Sequence, residues 1–202
     1  MEKNSYTQAF EYALNLLAQK LPTYLTYHSY SHTVEEVLPA AQLLAKASGL
    51  PAEESRLLEI AAVYHDVGYL FDMKEHERAG AKVAQEVLPG FGFSSDEIDT
   101  ITSMILATRL PTDPKTLAEQ ILADADLLIL GDGEFFNRSE ALRLELAARG
   151  RPYTPQEWYK VQLEFMEEHS YFTHAAQTLF DQGKSANIEE LKRLIVKQKD
   201  LQ

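Results

Sequence analysis

Four short stretches of this chain put imidazole and carboxylate groups side by side. They are YHSYSHT with His28 and His32, the pair His65-Asp66, the pair His76-Glu77, and Asp124-Ala125-Asp126 inside ILADADLLIL. Nitrogen and oxygen donors of this kind suit divalent ions such as Mn, Fe(II), Co, Ni and Zn. An ion held that way, with open positions, acidifies a water and polarises a phosphoryl oxygen, which is what phosphoester hydrolysis needs at neutral pH. The chain has no cysteine, so thiolate zinc sites, iron–sulfur clusters, cysteine nucleophiles and disulfides are all excluded. The aspartates at 124 and 126 stand out most. An ionised carboxylate in so apolar a run is costly unless a cation meets it, and no Lys or Arg lies between Lys115 and Arg138.

Spacing limits how these groups can converge. Neighbours on a helix point about 100° apart, so His65 and Asp66 can reach one ion lying between their directions. Asp124 and Asp126 are separated by about 200°, so one of them should ligate while the other caps, pairs or meets water. Other chemistries fail on pattern. DADLLILGDGE lacks the oxygen ligand and the glycine of an EF-hand loop, with Leu128 and Ile129 in their places. Walker and dinucleotide-binding fingerprints are absent, as is a Gly-x-Ser-x-Gly elbow.

The elements that must carry these groups are helices. Tyr6, Phe10, Ala13, Leu14, Leu17 and Leu21 recur at helical steps up to Pro22. A second pattern from Val34 to Ala45 ends at Gly49, with Pro39 expected to kink it. Pro51 opens a third helix that runs into His65-Asp66 and stops at Gly68, and a fourth spans about 74–88. Ser94 and Glu97 form a capping box before Ile98, and Asp113-Pro114 opens the helix that carries Asp126. Ser139 to Ala148 reads as a short helix, Thr154-Pro155 starts another, and the stripe Trp158, Val161, Phe165 is read as core. Helical spacing from Phe172 to Phe180 and a charged helix from Ile188 close the chain. No sustained two-residue alternation appears, so the expected class is all-α. The chain is read as a single domain, 1–202.

Composition agrees with a folded chain: 45% hydrophobic and 25% charged residues are ordinary globular values. A domain of this length buries roughly 70% of its unfolded surface, so it needs no staple. The first residues lack the pattern of a secretory signal, and no apolar run approaches the ~20 residues of a membrane span. A cytoplasmic location and no membrane partner are expected. The net charge of −12 disfavours long nucleic acids and anionic lipid.

With these residues in view, the chain resembles the HD-domain metal-dependent phosphohydrolases. His32, His65-Asp66 in AAVYHDVGY and Asp126 in LADADLLILG match the H…HD…D signature in order and setting. The flanks YHSYSHT, HERAGAKVAQEVLP and ILATRLP strengthen the match, which covers about 30–180. The resemblance implies an all-α phosphatase or phosphodiesterase, frequently one acting on nucleotides. It implies a divalent metal (Mn, Fe, Co, Ni, Mg or Zn) held by His32, His65, Asp66 and Asp126. Dinuclear relatives place Lys after HDxG and add further histidines, whereas this chain has Tyr69 and Thr108 at such positions. One ion is therefore favoured over two, although His76 could match an additional ligand.

The expected reaction is hydrolysis of a small phosphoester, with Asp66 in the catalytic centre. His76 is the candidate for acid–base work or for a second ion, with Glu77 behind it. Lys74, Arg78 and Lys82 are spaced four apart on one helix face and, with Arg109, are candidates to meet the substrate's phosphate oxygens. A solvated face pairing with Glu75, Glu77 or Glu86 is the competing reading of that stripe. Tyr27, Tyr30, Tyr64 and Tyr69 could stack on a base. The competing functional class is a non-catalytic helical module that binds metal or nucleotide without turnover.

Overall fold

The computed structural model describes residues 3–199, and among them there are nine α-helices and no strand. They separate into two compact units, with no linker marking the division. One comprises Met1–Pro22 with His28–Asp126, the other Thr23–Tyr27 with Leu127–Gln202.

In the first unit, α1 (Lys3–Lys20) is followed by a π-helical turn, His32–Val37, that feeds directly into α2 (Leu38–Ala47). α3 (Ala52–Tyr64) leads into a short 3-10 turn, Val67–Leu70, and then into α4 (His76–Val87), α5 (Ser95–Ala107) and α6 (Leu117–Asp126). α3 packs on α2, α5 and α6, and α4 packs on α5. Over its last turns α3 is buried on every side: Ile60, Ala61, Ala62, Val63 and Tyr64 are all inaccessible. A helix apolar all round is a central helix, and this one delivers His65 and Asp66 into the interior.

The expected kink at Pro39 takes a different form. Pro39 sits in the first turn of α2, and the wider register lies ahead of it, where the Leu38 N–H bonds to the Thr33 carbonyl five residues back. Proline offers no N–H and crowds the carbonyl four residues before it, so a regular ladder cannot pass that point. A single wide turn absorbs the conflict, and His32 opens it.

The start of α6 is also corrected. The helix begins at Leu117, not at Asp113-Pro114, because Thr116 and Glu119 close a cap. Glu119 accepts from the Lys115 and Thr116 amides (2.6 and 3.3 Å), and the Thr116 hydroxyl accepts from the Glu119 amide (3.2 Å). The Ser94–Glu97 capping box forms as expected.

In the second unit, α7 (Phe135–Ala148), α8 (Pro155–Glu168) and α9 (His174–Lys199) enclose Leu130, Phe135, Met166 and Leu191. α7 starts four residues earlier than its sequence pattern suggested. The two expected terminal segments form one 26-residue helix through Gly183. Gly183 is there for space: a Cβ on it would lie 2.0 Å from the Gly131 carbonyl oxygen. The predicted core stripe of α8 is displaced by one residue. Trp158, Gln162 and Met166 are buried at steps of four, while Val161 is exposed.

Candidate metal centre

Three separate elements of the first unit bring the expected donors together. His32 comes from the π-turn, His65 and Asp66 from the end of α3, and Asp126 from the last residue of α6. Asp66 adopts φ −97°, ψ −2°, in the bridge region where a helix breaks and a side chain can be turned inward. The Asp126 Oδ1 lies 3.2 Å from His32 Nε2 and 3.5 Å from His65 Nε2. The Asp66 Oδ2 lies 3.4 Å from His65 Nε2 and 3.9 Å from His32 Nε2. Donors around one ion at ~2.1 Å stand about 3.0–3.4 Å from each other, so these separations suit a shared cation.

Two further contacts fix which ring nitrogen points inward. His32 Nδ1 meets Glu36 Oε2 at 2.9 Å, and His65 Nδ1 meets the Ala62 carbonyl oxygen at 2.7 Å. Each acceptor demands a proton on Nδ1, leaving Nε2 as the inward donor atom. His65 Nε2 and Asp66 Oδ2 are buried and have no hydrogen-bond partner. Buried polar atoms are rarely left so. The donor set therefore fits a divalent cation, and His32, His65 and Asp66 alone already place three donor atoms within 4.8 Å of each other.

The charges of the four groups are tightly linked. Burial by itself would depress the His32 imidazole, but Asp126, Glu36 and Asp66 outweigh it and push the group up to about 9. Burial opposes the charged form of His65 too, and Asp66 with Asp126 again raises it well above the ordinary value. Both carboxyls are held below the usual range: burial works against this, and the imidazolium of His65 for Asp66, and of His32 and His65 for Asp126, prevail. Asp124 is wholly buried.

α4 is pressed against the HD turn by two glycines. A Cβ on Gly68 would stand 1.8 Å from the His76 carbonyl oxygen, and one on Gly80 3.0 Å from that of Tyr64. This approach brings His76 Nε2 to 3.9 Å from Asp66 Oδ1 and 3.4 Å from Glu77 Oε1. Burial holds the His76 imidazole below its ordinary value, against the pull of Asp66 and Glu77. Glu77 is itself buried, with Oε2 lacking a hydrogen-bond partner.

The basic candidates are distributed differently. Arg109 and Arg78 both engage Glu75, at 2.8 and 2.9 Å. Lys82 is exposed and lies 3.8 Å from Glu86, and Lys74 is exposed with its amide on Asp72. Thr108 turns its hydroxyl back to the Ile105 carbonyl.

Several tyrosines have structural duties. Tyr64 is core and donates to the Ala9 carbonyl, Tyr27 lies under the Arg138 guanidinium, and Tyr69 is buried against His76. Of the four, only Tyr30 is exposed. Glu36 was not legible as a functional residue. Its one signal was the four-residue step from His32 along a helix.

The HD domain family model matches residues 30–130, half of the chain, and the chain belongs to that family. The match ends at 130, where the sequence resemblance was carried to about 180. No curated protein matches the sequence. Three solved structures share the fold. A predicted HD superfamily hydrolase from an uncultured Thermotogales bacterium is 21% identical with a TM-score of 0.64, covering 93% of this chain and 92% of its own. A Lactobacillus plantarum protein is 19% identical with a TM-score of 0.72, covering 98% and 99%. Bacillus subtilis YpgQ is 17% identical with a TM-score of 0.67, covering 95% and 94%. Family membership and the donor set together support a metal-dependent hydrolase. No helix among the described residues is long and apolar enough to cross a membrane.

Proposed function

We propose that the chain hydrolyses a small phosphoester, a nucleotide first among the candidates, at a centre holding one divalent cation. The observation that carries this reading is the convergence of two imidazole Nε2 atoms with two carboxylate oxygens, two of these donors buried without a hydrogen-bond partner. His32, His65, Asp66 and Asp126 would hold the cation. Bound there, it supplies a Lewis acid that lowers the pKa of water and polarises a phosphoryl oxygen.

The chain's own residues supply the rest. Glu36 and the Ala62 carbonyl hold the two imidazoles in the ligating tautomer. His76, held below the ordinary histidine value, presents a neutral Nε2 beside Asp66 and Glu77 at neutral pH, and can accept a proton there and return it to a leaving group. Arg109, 41% exposed at the end of α5, is the foremost phosphate contact; it would share its guanidinium between Glu75 and the substrate. Lys74, Arg78 and Lys82 add local positive charge on a chain whose net charge is −12, which favours a small anion over a long polyanion.

The test is a panel of nucleotides and other phosphoesters assayed with Mn, Fe(II), Co, Ni, Mg and Zn. Asp66→Ala is expected to abolish metal-dependent product release while circular dichroism shows helix content intact. Turnover that survives Asp66→Ala would remove this centre from the reaction. Nucleotide or metal binding with no turnover of any ester would identify a binding module instead.

A further inference from the structure

Tyr69, offered by the sequence as a platform for a substrate base, is only 5% exposed and packs against two imidazoles of the chain itself. Its ring stacks on His76 at 4.0 Å between centroids and 16° between planes. His28 lies against it at 4.4 Å and 35°. The three rings arrive from different places: the chain ahead of the π-turn, the 3-10 turn after the HD pair, and the first residue of α4.

His76 needs such a support. It opens α4 after a non-helical Glu75 (φ −122°, ψ 42°), so no preceding helical turn restricts its side chain. The terminal torsion of a histidine is broad, with no sharp intrinsic minimum. Its carboxylate neighbours, at 3.4 and 3.9 Å, are too far to fix the ring by hydrogen bonds. A near-parallel aromatic face at 4.0 Å does set the ring plane, and the plane decides where Nε2 points.

We infer that Tyr69 is a positioning residue: its ring, stacked on the His76 imidazole, holds it so that Nε2 faces Asp66. This rests on the proposed role of His76 in proton transfer. The phenol oxygen is not what the role requires; the aromatic face is.

The experiment compares Tyr69→Leu, Tyr69→Met and Tyr69→Phe in the full chain. Histidine-labelled protein is examined by NMR, with the His76 ring signals assigned from their loss in His76→Gln. Stacking on Tyr69 displaces those signals upfield. In Tyr69→Leu they are expected to move downfield, and in Tyr69→Phe to stay near the parent position. With the best substrate of the phosphoester panel, Tyr69→Leu is expected to lose about 10–100-fold in kcat with KM within a factor of about two, because a misaligned group affects the transition state more than binding. Tyr69→Phe should keep the parental kcat, which a role for the hydroxyl would not predict. Tyr69→Met keeps much of the side-chain volume without an aromatic face and should give the Tyr69→Leu signature, which a role for bulk alone would not predict; it carries the test if Tyr69→Leu does not fold. Unmoved His76 signals, a parental kcat in Tyr69→Leu, or equal loss in Phe and Leu would each overturn the inference. A parent protein that turns over no ester would overturn the proposed hydrolysis instead, while the NMR comparison would still decide whether Tyr69 orients His76.

Discussion

His32 Nε2 and Asp126 Oδ1 stand 3.2 Å apart although 94 residues separate them in sequence. One residue opens a π-turn and the other ends α6, so the contact ties the start of α2 to the end of α6. Their charges make the contact more than a tether. Two raised imidazoles and two depressed carboxyls form a cluster balanced at neutral pH by protons on the histidines. A divalent cation can take the place of those protons.

Metal uptake at pH 7 should therefore release about two protons, since imidazole ligates only in its neutral form. Titration calorimetry of Mn in buffers of different ionisation enthalpy measures this number. Affinity should rise with pH through the range ending near 9, where His32 titrates. In metal-stripped protein the sign for stability is the opposite. A group raised from 6.5 to about 9 contributes fully below 6.5, and its contribution fades as pH climbs through 9. An affinity independent of pH would exclude His32 and His65 as ligands.

Glu36→Ala should weaken Mn binding about 10–100-fold with little change in melting temperature. Glu36 is partly exposed, so its loss leaves no large cavity, but His32 loses the acceptor that fixes its ring and raises its basicity. Calorimetry on the parent and the variant gives the comparison. Equal affinities would show that the π-turn alone sets the ring.

Gly68→Ala should destabilise the protein by about 1–3 kcal/mol or more, the range for overpacking in a close-packed site. The added methyl meets the His76 carbonyl and the Gly80 amide, which are backbone atoms and cannot rotate away. Urea unfolding measures the loss. Because the same contact seats α4 beside Asp66, metal-dependent turnover should fall further than the loss of folded protein explains.

Acid should weaken the second unit through His169. Burial, with the Lys184 charge behind it, lowers this imidazole to about 4. Above pH 6.5 both folded and unfolded forms are neutral and the group contributes nothing. Between 6.5 and 4 the unfolded chain binds a proton that the folded one refuses, so stability falls as pH falls. Urea midpoints at pH 7.5 and 5 should drop less for His169→Gln than for the parent. An equal drop in both would mean that His169 protonates freely in the fold.

Much of this molecule was fixed by local sequence. The helical periodicity and the Ser94–Glu97 box depend on residues a few places apart, while the order His32, His65-Asp66, Asp126 is read along the chain without knowledge of its path; together they gave the helices and the proposed ligands. What local pattern could not settle was everything decided by a neighbour far along the chain. The split into two units falls inside LADADLLIL with no change of composition, because only packing distinguishes the residues before and after Asp126. α8 buries the face carrying Gln162 instead of Val161, because α9 determines which side is covered. Tyr69 reads equally well as a base-stacking surface or as filler until α4 folds His76 onto it. Sequence alone specified which groups could do chemistry; tertiary structure chose their partners, since a contact energy depends on distances that no spacing along the chain defines.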